Sequence, residues 1–208
     1  MGASVKNFVL YNVGWFAAVY FAAQGQAWIG DVAIGLVVCA HLLSVPIWKK
    51  EALLLAVAGL IGLLWETVLV WSGVLSYPAS PGLGVLAPSW IVAMWVLFAT
   101  TINVSLSWVK RSWWLASLFG ALGGPLAFLA GKALGAVEFG DLVTTPLVIG
   151  AGWAVLLPVL CRIADHINAS PAFDPAQDAG ASEREDSNHR FSILQQALML
   201  ISGKSLNK

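Results

Sequence analysis

Glu66 poses the first chemical question, because it is a carboxylic acid deep inside an apolar run. A carboxyl in such a place is costly unless it is neutral, paired or facing water. Gly59, Gly62, Glu66 and Gly73 follow at intervals of three, four and seven, so on a helix they share one face. Small residues on that face let another helix approach closely, and Glu66 is therefore expected to look into a bundle rather than at lipid. Two roles follow: a glutamic acid hydrogen-bonded between helices, or a ligand or proton site.

A second carboxyl, Asp31, enters another apolar run one turn from its start, where an acid also suits a helix N-terminus. His41 stands alone with no metal partner nearby in sequence, so it reads as a hydrogen-bonded packing residue or a proton relay. Thr100, Asn103 and Ser107 have the spacing of one helical face, suited to interhelical hydrogen bonds or to contact with a ligand, and Asn12 interrupts the first apolar run. Cys39 and Cys161 lie far apart in apolar runs, so neither a disulfide framework nor a thiolate metal site is expected. The chain has no lysine-bearing phosphate loop, HExxH, paired-cysteine motif or GxSxG elbow, and no basic platform for nucleic acid. No cofactor and no metal are expected, and no catalytic residue can be assigned.

The elements that must carry these side chains are apolar stretches of roughly 17 to 24 residues, the length a helix needs to cross hydrocarbon. They run Asn7–Ala23, Ala27–Pro46, Glu51–Ser72, Pro88–Trp108, Trp113–Gly131 and Val143–His166. With 59% hydrophobic and 11% charged residues, the chain could not cover a soluble domain with a polar surface. The expected fold is an all-α, polytopic six-transmembrane-helix bundle over residues 1–166. Residues 167–208 form a polar, acidic tail in which Phe191, Leu194, Leu198 and Ile201 suggest a short amphipathic helix over 191–202.

Basic residues in short loops are retained on the cytoplasmic side. Lys6, Lys49, Lys50, Lys110, Arg111 and Arg162 all fall at alternate connections, and Lys132 alone opposes them. Both termini are thus expected in the cytoplasm, the localisation being an inner membrane. Met1–Ala23 has the lysine and apolar run of a signal peptide, but Asn12 breaks it and no good cleavage site follows, so it is read as the first span. This topology sorts the polar residues by depth. Asp31 and Glu66 share an outer layer, and Asn12, His41, Thr100, Asn103 and Ser107 an inner one.

Span five combines two small-residue series, Ala116–Gly120–Gly124 and Ala127–Gly131–Gly135, with Pro125 between them, which predicts close helix contact and a kink near mid-membrane. The uncharged connection Gly73–Ala87 emerges just after Glu66 and could cover an outer cavity.

The segments Phe98–Trp108, Gly120–Ala127 and Gly131–Val137, with Asn7-Phe8, Trp15, His41, Glu66 and Gly73–Leu75, resemble the bacterial inner-membrane family called domain of unknown function 2878. The resemblance covers roughly residues 5 to 165 and implies no established activity. It implies an aspartate where Glu66 stands and a histidine where Val104 stands, two departures that argue against an invariant catalytic centre.

Three functions are consistent with these features. The first is a membrane protein that binds or moves an amphiphile or small solute, with the Glu66 layer as polar anchor. The second is an intramembrane lipid-modifying enzyme using Glu66 and Asp31 as acid and base, assisted by His41 or Asn103. The third is an assembly partner that docks another membrane protein through its glycine faces. Membrane lipid is the expected surrounding partner in each.

Overall fold

The computed structural model describes residues 2–80, 82, 84 and 86–171. Six α-helices appear among them: α1 (Ala3–Ala23), α2 (Ala27–Ser44), α3 (Trp48–Trp71), α4 (Ser89–Ile102), α5 (Trp113–Ala133) and α6 (Thr144–Ala169). A 3-10 turn, Ser107–Arg111, links α4 to α5. The compact unit they build ends at Asn168, and the expected helix at 191–202 lies outside the described residues.

Glycine, proline and aspartate set the boundaries. Helices α1, α3 and α5 each end in a left-handed glycine, Gly25 (φ 72°), Gly73 (φ 71°) and Gly135 (φ 84°). The following N–H in each case reaches back to a carbonyl of the last turn, Gln26 to Phe21, Val74 to Leu69 and Ala136 to Gly131. Helix α2 stops at Ser44 because Pro46 forces Val45 into an extended conformation. Asp141 begins α6 by accepting the Val143 and Thr144 backbone N–H groups on Oδ1, at 3.0 and 2.6 Å. Those bonds, that from the Thr144 backbone foremost, hold its carboxyl below the usual range.

Helix α4 packs against α1, α2 and α3. Contacts between helices are close wherever glycine permits. A Cβ on Gly30 of α2 would meet the Ala18 backbone of α1, and one on Gly62 of α3 would overlap the Trp95 ring of α4. Gly120 and Gly124 of α5 both lie against Trp153 of α6. The expected close packing of α5 is therefore realised within the chain. Helix α5 also runs on through Pro125 as one continuous helix.

Four helices, α2, α3, α5 and α6, are long and apolar enough to cross a membrane. Their outward faces carry Leu36, Leu43, Leu64, Trp71, Trp114, Leu126 and Leu147, all exposed, a surface suited to lipid rather than water. Helix α1 has the length for a span but includes Lys6, Asn7 and Asn12.

Helix α4 departs most from expectation. Instead of a span over Pro88–Trp108, it has 14 residues and ends at Ile102. Val104 and Leu106 both donate their N–H to the Thr101 carbonyl, which folds the chain over the helix end. Asn103 and Ser105 find distant partners there, Glu51 and Asn7, while Ser107 bonds the Val104 carbonyl three residues back. Asn103 thus caps α4, and Ser107 begins the 3-10 turn rather than extending one helical stripe. An antiparallel pair of two-residue strands, β1 (Leu75–Ser76) and β2 (Glu138–Phe139), joins the two long connections; strands this short leave no periodicity to read.

Candidate functional site

Hydrogen bonds gather the helix ends into two groups. At the hairpin end, near β1 and β2, Ser80 donates to the Ala22 carbonyl, Ser89 to Asp31, and Thr145 to the Val74 carbonyl. At the opposite, lysine end lie His41, Lys50, Glu51, Asn103, Lys110 and Asp165.

Between the two ends runs a cavity of about 220 Å³. One side is a helical stripe of α1, Phe8, Tyr11, Trp15 and Val19, spaced three and four residues apart. Its opposite side is α5, where Gly120, Gly123, Gly124, Ala127 and Gly131 keep the wall low beside Phe119 and Phe128. Trp90, Ile91, Met94, Trp95, Phe98 and Thr101 of α4, Trp153 and Leu157 of α6, and Tyr77, Ser105, Leu106 and Val137 of the connections complete it. From Phe8 to Val19 the stripe extends roughly 17 Å at a helical rise of about 1.5 Å per residue. The lining is dominated by aromatic rings and glycine, an apolar slot rather than an aqueous one.

Glu66 is fully buried beside this slot. Its Oε1 accepts the Trp95 Nε1–H at 2.9 Å and its Oε2 the Tyr77 O–H at 2.9 Å. Burial above all, reinforced by the neighbouring carboxyl, pushes the Tyr77 hydroxyl well above its usual pKa and keeps it a donor. Tyr77 and Trp95 line the cavity whereas Glu66 does not, so the acid holds two wall residues from behind. Trp95 stacks on Trp153 at 4.5 Å with planes 19° apart, and Phe98 meets Trp153 edge-on at 5.1 Å. Tyr77 packs edge-on against Trp90 at 5.4 Å. The connection expected to cover a cavity thus contributes Tyr77 to its wall.

Asp31 has a separate partner. Its Oδ2 accepts the Ser89 hydroxyl at 2.7 Å, its Oδ1 is buried with no partner, and it does not line the cavity. The two carboxyls assigned to one outer layer are both at the hairpin end, but no shared partner joins them.

At the lysine end, His41 Nε2 lies 3.2 Å from Glu51 Oε2, and Asn103 donates to Glu51 Oε1 at 2.7 Å. Lys110 donates to Asn103 Oδ1 at 2.8 Å and to Asp165 at 2.9 Å. Asn168 Nδ2 also donates to Asn103 Oδ1, and Lys50 donates to the Asn168 carbonyl. This chain of bonds joins α2, α3, α4, the 3-10 turn and α6. A proton could not pass along it by simple relay, because the Asn103 amide in its middle gives and takes through different atoms. The arrangement is suited to holding helix ends together. Glu51, Lys110 and Asp165 look in sequence like ordinary span-boundary charges, and only folding makes them partners of His41 and Asn103.

Asn12 donates to the Phe8 carbonyl one turn back, and Thr100 to the Leu97 carbonyl, each within its own helix. Asn7, not singled out by the depth argument, donates to the Thr100 carbonyl and accepts from Ser105, tying α1 to the end of α4. Among the described residues no group of acidic, histidine or cysteine side chains could hold a metal ion.

No curated protein and no solved structure matches the chain. The model of the family described as Protein of unknown function (DUF2878) matches residues 4–159, all the helices from α1 into α6, and the chain belongs to that family.

Proposed function

We propose that this chain crosses a bacterial inner membrane six times with both termini in the cytoplasm, and binds or moves an amphiphile whose apolar chain lies in the groove between α1 and α5. The observation carrying the reading is the slot of about 220 Å³ walled by Phe8, Tyr11, Trp15, Phe98 and the low glycine face of α5. That volume equals about seven groups the size of water or methylene, at roughly 30 Å³ each, enough for a length of alkyl chain. A volume of about 220 Å³ is far too small for a turn of helix with its side chains, roughly 10 Å across, which favours a chain over a protein segment.

Orientation rests on charge. Lys50 and Lys110 lie at one end with Arg111 adjacent, whereas Lys132 follows Gly131 at the other, and the first set belongs on the cytoplasmic side. Helix α4 alone covers about 21 Å of the membrane's depth, and the folded segment 103–111 completes its crossing.

The test is photolabelling in nanodiscs with a phospholipid bearing a diazirine on one acyl chain. Adducts are expected on Phe8, Tyr11, Phe98 and Phe119, and they should disappear in Gly123→Leu. A Cβ at Gly123 meets only the Phe119 ring at 3.8 Å, so the larger side chain fills the slot without striking backbone. Labelling spread evenly over Leu36, Leu64 and Leu147 would show that the protein has no lipid site beyond its general surface.

A further inference from the structure

Four residues lining the slot carry a hydroxyl group: Tyr11, Tyr77, Thr101 and Ser105. Three of these hydroxyls are committed within the protein, since Tyr77 donates to Glu66, Thr101 to the Phe98 carbonyl at 2.6 Å and Ser105 to Asn7 Oδ1 at 2.6 Å. The Tyr11 hydroxyl has no hydrogen-bond partner among the described residues. It is not sealed away either. The partnerless polar atoms closed off inside the protein are Asp31 Oδ1 and the indole nitrogens of Trp65, Trp90 and Trp153. The Tyr11 oxygen is not one of them, so it still borders open space, and the space that this side chain lines is the slot.

Neighbouring contacts hold the phenol in place. Asn7 donates to the Thr100 carbonyl and accepts from Ser105, which sets the rotation of α1 against the end of α4. Tyr11 follows Asn7 by one turn on the same face, and its ring meets Phe98 edge-on at 6.4 Å. Burial desolvates its hydroxyl. A desolvated hydroxyl without a partner is disfavoured, and such groups in native proteins bond water, an ion or a ligand. Packing alone does not call for this oxygen, because Phe8, Trp15 and Val19 build the rest of the same stripe. No charged side chain lines the slot, so an ionised group beside Tyr11 would lack a counter-charge in apolar surroundings. Tyr11 stands toward the lysine end, and the stripe continues about 12 Å beyond it to Val19 at a rise of about 1.5 Å per residue.

We propose that the occupant of the groove carries a neutral oxygen acceptor, an ester carbonyl or an alcohol oxygen on an alkyl chain, which accepts the Tyr11 O–H. This rests on the groove being an amphiphile site and adds the chemical class of its ligand. The apolar chain then extends from Tyr11 along the stripe toward Val19.

The experiment is competition against the diazirine phospholipid in nanodiscs by an alkane, a methyl ester, an alcohol and a sulfonate of equal chain length, each expressed as its mole fraction in the membrane. The ester, the alcohol or both should displace the probe at about fivefold lower mole fraction than the alkane, the ratio one ordinary net hydrogen bond provides. The permanently charged sulfonate should do no better than the alkane. Tyr11→Phe keeps the ring and removes a hydroxyl that bonds nothing in the protein, so the fold is preserved. It should raise the ester and alcohol to the alkane's mole fraction and leave the alkane unmoved. Tyr20→Phe, which removes an exposed hydroxyl of α1 outside the slot, should leave the preference intact. Equal competition by all four in the wild type overturns the ligand class, the hydroxyl then being satisfied by water, while the groove remains a lipid site. A sulfonate that competes best overturns the neutral group. A preference that survives Tyr11→Phe, or a loss in that variant shared by the alkane, overturns the role of the hydroxyl. If the wild type captures no probe in the groove, or a second copy of the chain crosslinks there instead, the amphiphile reading itself fails.

Discussion

Tyr77 donates to Glu66 across 2.9 Å, joining the connection that follows α3 to the interior of that helix. Because Trp95 donates to the other carboxyl oxygen, one buried acid fixes a loop residue and a stacked indole together. Their rings form part of the groove wall, so removing the acid should loosen both. Glu66→Ala is expected to cost about 2 to 4 kcal/mol, since two buried donors lose their acceptor at roughly 1 to 3 kcal/mol each with some relaxation. Tyr77→Phe removes one bond and should cost about 0.6 to 1.5 kcal/mol. Thermal unfolding in detergent checks the order: Glu66→Ala below Tyr77→Phe below wild type.

Glycines in this bundle fall into two sorts that a stability scan should separate. Gly62→Ala would drive a methyl group into the Trp95 ring, which the bond to Glu66 prevents from turning aside. It should destabilise by about 1 to 3 kcal/mol, the range for overpacking. Gly35 has nothing within 4 Å of a Cβ, so Gly35→Ala should be neutral or stabilising by up to about 1 kcal/mol through helix propensity. Equal losses at the two sites would show that the α3–α4 contact does not depend on glycine.

The polar chain at the lysine end should respond according to exposure. Glu51 is buried and serves both His41 and Asn103, so Glu51→Ala leaves two donors unpaired and should cost about 2 to 4 kcal/mol. Asp165 has a side chain 52% exposed, and its bond to Lys110 is screened by solvent. Asp165→Asn should therefore cost below about 1 kcal/mol. Urea or thermal unfolding of the two variants at moderate salt distinguishes them; a larger loss at Asp165 would contradict the ordering.

Asp141 gives a pH signature. Its carboxyl is held below the ordinary value of 3.8, chiefly by the Thr144 backbone N–H, so folding favours the ionised form. The stabilisation is fully present above the unfolded value and fades as pH falls through the lower folded value. Wild type should lose more thermal stability than Asp141→Asn between pH 5 and pH 3, since asparagine caps the helix without titrating. Parallel slopes in differential scanning fluorimetry would remove Asp141 as the source.

How much of this was legible before folding varies with the range of the interaction. Helix boundaries at Gly25, Gly73, Gly135 and Pro46 depend on local backbone rules, and each could be read from a few neighbouring residues. The inward direction of Glu66 likewise followed from Gly59 and Gly62 on the same face. The early end of α4 was not legible, because apolar composition continues to Trp108 while the deciding partners, Asn7, Glu51 and Asn168, come from distant segments.

The amino-acid sequence by itself determined an all-helical membrane chain, since apolar length and the scarcity of charge admit few other solvents or folds. It also determined that Glu66 faces protein. Tertiary structure alone decided that Glu66 stands behind the groove wall while Asp31 bonds Ser89 elsewhere, and that His41 shares Glu51 with Asn103. The physical reason is that helical periodicity assigns a face and a depth to each side chain, but the rotation and packing of neighbouring helices choose which faces meet. Those choices rest on Gly62 beneath Trp95 and Gly124 beside Trp153, contacts between residues dozens of positions apart or on different helices, where a single methyl group would alter the fit.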